Sequence, residues 1–180
     1  MSPSTITLKR ELEISASLSV ASAPEARDLR QIYLHPGELY VSSSPANLKI
    51  IVGSCVAVCM YDSRLKMGGA THYLLPTKDG EGPSSPRYGD VAITTLLQEL
   101  RKFGSRKQDL QTHLYGGACV LSAFSGGSRG LVGEQNIRLA SDLLSRESIA
   151  VVRWDTGGSK GRKVTVRTDT GEITCTLIGS

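Results

Sequence analysis

Between Ile50 and Pro76 the chain carries two short apolar runs with too many β-branched residues and too many breaks for a helix. The first opens as Ile50-Ile51-Val52, breaks at Gly53-Ser54, presents Cys55 and resumes as Val56-Ala57-Val58-Cys59-Met60-Tyr61. Runs of this composition and length, about a dozen residues in all, predict two strand segments. A glycine inside such a pattern marks a bulge, a bend or a close backbone approach. Cys55 therefore falls where the ladder is interrupted and backbone N–H groups are free to turn away from sheet pairing. Beyond the turn-rich Asp62-Ser63-Arg64 and Gly68-Gly69 comes the second run, Thr71-His72-Tyr73-Leu74-Leu75-Pro76. If the two runs pair as neighbouring strands, Cys55 and His72 can face one another. That pair is the minimum for thiolate chemistry, because a free thiol has a pKa of about 8.5 and needs a base or cation beside it.

Cys55 also has a plainer role open to it, since free cysteine is among the most buried residue types and packs as a small hydrophobe. Cys59, four positions on, shares its face in a regular strand and is expected in the core. No C-x-x-C, H-x-x-x-H or second cysteine pair is present, so no metal site and no cofactor are expected.

At 180 residues the chain suits one domain with a proper core. Aromatics make up only 5% of it, so that core must be aliphatic. No window approaches the ~18 consecutive apolar residues of a membrane span, so no membrane insertion is expected. Met1 to Thr5 lacks the basic-then-apolar layout of a secretion signal, and the four cysteines have no disulfide-framework spacing. Reduced cysteines in a cytoplasmic protein are the expectation. The net charge of +4 is spread out, and its clusters (Arg101-Lys102 with Arg106-Lys107, and Lys160 with Arg162-Lys163) lack interleaved aromatics. They predict solvated faces, or a surface for an acidic partner, and no nucleic-acid binding.

Residues 1–30 have balanced charge and little periodicity, and are expected to form a flexible N-terminal extension; within it Ile14 to Val20 alternates weakly, as an edge strand does. Residues 31–180 form the expected domain. Ile32-Tyr33-Leu34 and Gly37 to Val41 predict a pair of short strands around His35, with the second unable to start before Gly37 because of Pro36. A long irregular loop, Thr77 to Arg87, follows the His72 run and is placed to flank a site. Asp90 is the expected N-cap of a helix whose Ile93, Leu96, Leu97, Leu100 and Phe103 form one buried stripe, stopped at Gly104. Leu110 to Leu114 predicts a strand broken at Gly116-Gly117, and Ser122 to Gly130 a polar loop. A second helix, from Val132, has Ile137, Ala140 and Leu144 on its apolar face. Ile149 to Val152 predicts a buried strand that leads to Gly157-Gly158. Lys163 to Arg167 and Glu172 to Leu177 alternate around Asp169-Thr170-Gly171, a C-terminal hairpin with Cys175 on its apolar side. The fold class is thus α/β: a single-domain layered sandwich with mixed β-sheets, two main helices and a C-terminal β-hairpin. The glycine pairs are expected to serve turn geometry, and His35 and His113 to lie on the surface.

Six motifs fall in one order: GSCVAVC (53–59), THYLLP (71–76), RYGDVA (87–92), YGGA (115–118), VGEQN (132–136) and GGSKGRKV (157–164). In that order they resemble the CheD family of chemoreceptor glutamine deamidases, from about Gly37 to the C-terminus. The resemblance implies a cysteine-dependent deamidase that converts glutamines in the cytoplasmic domain of a chemoreceptor to glutamate, with release of ammonia, and that is sometimes partnered by a CheC-type phosphatase. It implies Cys55 as nucleophile and His72 as its base; the chemistry expected of them runs through a thioester, and the backbone N–H groups of Ser54 and Cys55, freed at the strand break, are the candidate oxyanion donors. The family has a Thr five or six residues before the Cys, where this chain has Lys49 and Ile50, and no hydroxyl lies from Leu48 to Val52. The third member of the catalytic set is thus left open between Ser54, Thr71 and a backbone carbonyl. A non-catalytic adaptor that binds a receptor or a phosphatase is the alternative; a cysteine protease lacks the flanking motifs. In a regular strand Lys49 shares a face with Ile51 and, through the break, with Cys55. It either reaches the rim of the site and favours the thiolate, or is turned to solvent by a bulge at Gly53.

Overall fold

The computed structural model describes residues 8–10, 29–78, 83–119 and 129–179, with the backbone alone for 8–10 and 129–131. Ten strands and two α-helices are found among them. Six strands form one mixed sheet: β1 (Leu8–Arg10), β3 (Glu38–Ser42), β6 (Met67–Tyr73), β5 (Val56–Asp62), β7 (Leu110–Gly116) and β8 (Val151–Thr156), in that spatial order. Four more, β10 (Ile173–Leu177), β9 (Arg162–Arg167), β4 (Ala46–Val52) and β2 (Arg30–Tyr33), form the second sheet. The helices are α1 (Gly89–Lys102) and α2 (Arg129–Arg146). The layered α/β sandwich with a C-terminal hairpin, β9–β10 in antiparallel register, is the architecture the sequence pattern implied.

Strand periodicity sorts two cores onto the two faces of the six-stranded sheet. Val56, Val58 and Met60 of β5 point toward the helices and pack with Ile93, Leu96, Leu100, Ala140 and Leu144. Ala57 and Cys59 point the other way, into a core shared with Leu48, Ile50 and Val52 of β4 and Val164 and Val166 of β9. All seven residues of β5 are buried, so the strand that follows Cys55 is the centre of the molecule. Cys59 takes the core position expected of it, and burial pushes its thiol pKa well up.

Where the sequence predicts a buried strand from Ile149 to Val152, β8 runs Val151–Thr156 as the edge of its sheet, with Val152 and Trp154 exposed. The second helix, α2, starts at Arg129 rather than Val132. Three further local details differ from the sequence expectations. Tyr88, not Asp90, is the N-cap residue of α1. The helix starts early because the carbonyls of Leu75 and Pro76 accept from the Gly89 and Asp90 N–H groups, at 2.8 and 3.3 Å, and so satisfy donors a side-chain cap would otherwise serve. Asp90 is left in the first turn, where its charge still suits the helix dipole. Second, β2 and β3 do not pair with each other: β2 joins β4, and β3 joins β6. The turn between them, with Gly37 at φ +89°, carries the chain from one sheet to the other. Third, β3 begins at Glu38, one residue later than expected, since Gly37 belongs to that turn. Leu8–Arg10 lies inside the expected extension and pairs in parallel with Leu39–Val41, while Ile14 to Val20 lies outside the described residues. So does most of the Ser122 to Gly130 loop and the middle of the Thr77 to Arg87 loop. Among the described residues no helix is long and apolar enough to cross a membrane.

Candidate active site

Cys55 stands at the corner where the chain leaves β4 in one sheet and enters β5 in the other. Each carbonyl of this corner is tied down. The Gly53 oxygen accepts from the Ala118 N–H at 2.8 Å and the Cys55 oxygen from the Gly117 N–H at 2.8 Å. The Ser54 oxygen between them accepts from Nδ2 of Asn136 at 3.0 Å. No carbonyl of the described residues accepts from the Ser54 or Cys55 N–H, and the Cys55 N–H lies against its own sulfur. The corner therefore turns its carbonyls into the protein and leaves the Ser54 and Cys55 N–H groups without a carbonyl partner among the described residues.

His72 lies on β6, between its Cα partners Glu38 on β3 and Ala57 on β5. Ala57 is two residues along the chain from Cys55, so His72 sits on the strand next to the one that Cys55 leads into. The expected pairing of the two runs is present. The ring is buried, with 1% of its surface exposed, and Nδ1 meets the Leu34 carbonyl at 3.1 Å. A carbonyl only accepts, so Nδ1 carries the proton and Nε2 is left with its lone pair. Nε2 is buried and has no hydrogen-bond partner among the described residues. The Leu34 peptide is itself held, because its N–H donates to the Lys49 carbonyl at 3.0 Å.

Burial acts on both groups and favours their neutral forms. It pushes the Cys55 thiol up, an effect only partly offset by its own N–H. It pushes His72 down, against the opposing influences of the Leu34 carbonyl and the Glu38 charge, with nearby His35 adding to the lowering. Both shifts favour the neutral forms, a thiol and an uncharged imidazole.

The family model for CheD chemotactic sensory transduction matches residues 74–177. The probable chemoreceptor glutamine deamidase CheD of Sulfurimonas denitrificans is 38% identical over 141 residues, 78% of this chain and 90% of that protein. Its counterpart in Trichlorobacter lovleyi is 39% identical over 84% of this chain and 93% of its own. The probable chemoreceptor glutamine deamidase CheD 1 of Anaeromyxobacter dehalogenans is 36% identical, over 87% and 90%. The chain belongs to the CheD family. Spans of these lengths in a chain of 180 residues necessarily take in both Cys55 and His72.

In this CheD-family chain Lys49 points away from the thiol. The even-numbered Leu48, Ile50 and Val52 of β4 are buried between the sheets, and the Lys49 ammonium lies 5.4 Å from the centre of the Tyr33 ring on the outer face. The break at Gly53 is a change of sheet, so face-sharing along β4 does not extend to Cys55. Ser54 and Thr71 do not bond His72 either; the Thr71 hydroxyl donates to the Glu38 carbonyl at 3.3 Å. His35 is exposed as expected, whereas His113 is half-buried across the ladder from Cys59. Cys119 is exposed, and Cys175 is half-buried with its thiol pushed up to about 11, chiefly by burial.

The sequence pattern did not single out Leu34 or Asn136, and it assigned Gly116-Gly117 to turn geometry alone. Gly116, at φ +111°, has no room for a side chain: a Cβ there would lie 2.2 Å from the Cys55 oxygen. Asn136 is wholly buried on α2, and its Nδ2 also donates to the Leu74 carbonyl at 2.8 Å. The YGGA and VGEQN motifs were visible, but the contacts they make across the fold were not.

Proposed function

We propose that this protein is a cysteine-dependent glutamine deamidase acting on the cytoplasmic segment of a chemoreceptor, with Cys55 as nucleophile, His72 as general base and the Leu34 carbonyl as the group that orients the imidazole. The observation that carries this is the His72 ring: its Nδ1 is committed to a main-chain carbonyl, and its Nε2 is buried and unpartnered on the strand next to the one that Cys55 leads into. The substrate class comes from the names of the relatives.

In this mechanism Nε2 takes the Sγ proton as the sulfur attacks the glutamine carboxamide carbon. The oxygen of the tetrahedral adduct gains the charge and sits against the N–H groups of Ser54 and Cys55. The imidazolium returns its proton to the amide nitrogen, ammonia leaves, and a thioester remains. Nε2 then deprotonates a water that attacks the thioester, and glutamate and the free thiol are released. Neutral resting forms suit this order, because the base is unprotonated when the substrate arrives. Reduced thiols persist in the cytoplasm, where the receptor segment also lies.

Incubation with receptor cytoplasmic segments, followed by peptide mass spectrometry, tests the proposal. Conversion of Gln to Glu appears as a gain of about one dalton, expected with the native protein and absent with Cys55→Ala. Binding of the segment without any mass gain would sink the proposal in favour of the adaptor.

A further inference from the structure

The corner that carries Cys55 contains two peptide groups whose orientation decides where its donors point. A trans peptide holds its C=O and the following N–H in one plane and in opposite directions. The Gly53–Ser54 peptide is held by its carbonyl, which accepts from the Ala118 N–H, so the Ser54 N–H points the other way. The Ser54–Cys55 peptide is held by the Asn136 amide at 3.0 Å, and the Cys55 N–H points opposite to it, beside its own sulfur. The corner's third carbonyl, that of Cys55, is held by main chain, the Gly117 N–H. The peptide that carries the nucleophile's own donor is thus the one fixed by a side chain.

Asn136 is well braced for that task. It is wholly buried on α2, its second Nδ2 bond runs to the Leu74 carbonyl at 2.8 Å, and the Tyr73 hydroxyl donates to its main-chain oxygen at 2.7 Å. One residue therefore meets the corner before β5 and the two residues that follow His72. Both acceptors are carbonyls, so the amide nitrogen must face them and the amide orientation is unambiguous.

We infer that Asn136 is a positioning residue for catalysis: by holding the Ser54 carbonyl it aims the Cys55 N–H at the oxyanion of the tetrahedral adduct. This rests on the thioester chemistry of Cys55 given above. An oxyanion donor acts when charge develops on the substrate oxygen, and contributes little to binding the uncharged glutamine.

Two reactions of the same sulfur separate this role from general support of the site. Deamidation passes through an oxyanion; alkylation of Cys55 by iodoacetamide is a displacement at carbon and does not. For folded Asn136→Ala, kcat on a receptor segment is expected to fall by about 10²-fold, while KM and the limiting iodoacetamide rate at Cys55, read at a pH above the thiol's titration, stay within about twofold. A kcat within about twofold of the native protein overturns the inference. So does a parallel loss of kcat and alkylation rate, which would make Asn136 a packing support only. Should circular dichroism find Asn136→Ala unfolded, Asn136→Ser, which keeps one donor, is judged by the same criteria. Cys55→Ala is assayed alongside. Turnover that survives in Cys55→Ala overturns the thioester chemistry and this inference with it. Turnover lost in Cys55→Ala but retained in the Asn136 variant overturns the role of Asn136 alone.

Discussion

Gly116 lies against the backbone of Cys55 so closely that any Cβ at position 116 would come within 2.2 Å of the Cys55 carbonyl oxygen. Its neighbour Gly117, at φ +65°, donates its N–H to that same oxygen. The end of β7 is thus a template for the corner that presents the thiol. Gly116→Ala is expected to lower stability by at least about 2 kcal/mol, through φ strain and displacement of the Cys55 peptide. Deamidation should fall even at temperatures where the variant is folded. Urea unfolding and turnover on a receptor segment check this; native-like values for both would show that the corner yields.

Replacing His72, the proposed base, is expected to act on chemistry more than on fold. His72→Gln keeps a polar side chain that can still reach the Leu34 carbonyl, but it has no lone pair of comparable basicity. Turnover should drop by about 10²- to 10⁴-fold, with a far-UV spectrum like that of the native protein. Retention of a tenth or more of the native kcat would remove His72 from the mechanism.

Burial depresses the folded-state pKa of His72 below the ordinary imidazole value of 6.5. A group shifted this way contributes stability that is whole above about pH 6.5 and is lost as pH falls through the lower, folded value. His113 is shifted in the same direction, chiefly by burial, and adds to the loss. The lowered carboxylates Asp109, Glu147 and Asp155 give up their contributions at more acidic pH, so a comparison of pH 7.5 with pH 5.5 reports mainly on histidine. The native urea midpoint is expected to fall across that interval, and His72→Gln should show a shallower fall. Equal slopes would mean that His72 carries no such linkage.

Lys49→Thr restores a hydroxyl near where the family resemblance places one, yet little change is expected. The Lys49 side chain lies over Tyr33 on the outer face, and only its main-chain oxygen, which any residue supplies, supports Leu34. Turnover and the pH profile of iodoacetamide labelling at Cys55 should match the native protein, with about 0.5–1 kcal/mol of stability lost with the cation–π contact. Faster deamidation would show that the hydroxyl reaches His72 after all.

The legibility of this molecule follows from how local each determinant is. Strand and helix positions could be read because alternation and three- to four-residue spacing record which face each residue buries. The run after Cys55 and the run that carries His72 could be read as neighbours because β5 and β6 are joined by a short turn. Asn136 could not be placed, since it meets Ser54 across 82 residues of sequence, through the packing of α2. The cap of α1 was misassigned to Asp90 for a related reason: the acceptors at Leu75 and Pro76 come from outside the helix, and main-chain oxygens leave no mark on residue type. Lys49 was open to misplacement because regular alternation was extended through a glycine at which the chain changes sheets.

The Leu34 carbonyl that holds His72 belongs to every amino acid alike. A hydroxyl or carboxylate in that place can be lost by a single codon change, whereas a peptide oxygen cannot be mutated away. The orientation of the imidazole is therefore inherited with the parallel pairing of β2 and β4, and drift at positions 34 and 49 leaves it untouched as long as that pairing survives. Replacing the amide after Leu34 with a backbone ester would weaken the acceptor without altering a side chain, a change open to chemical synthesis and closed to natural variation.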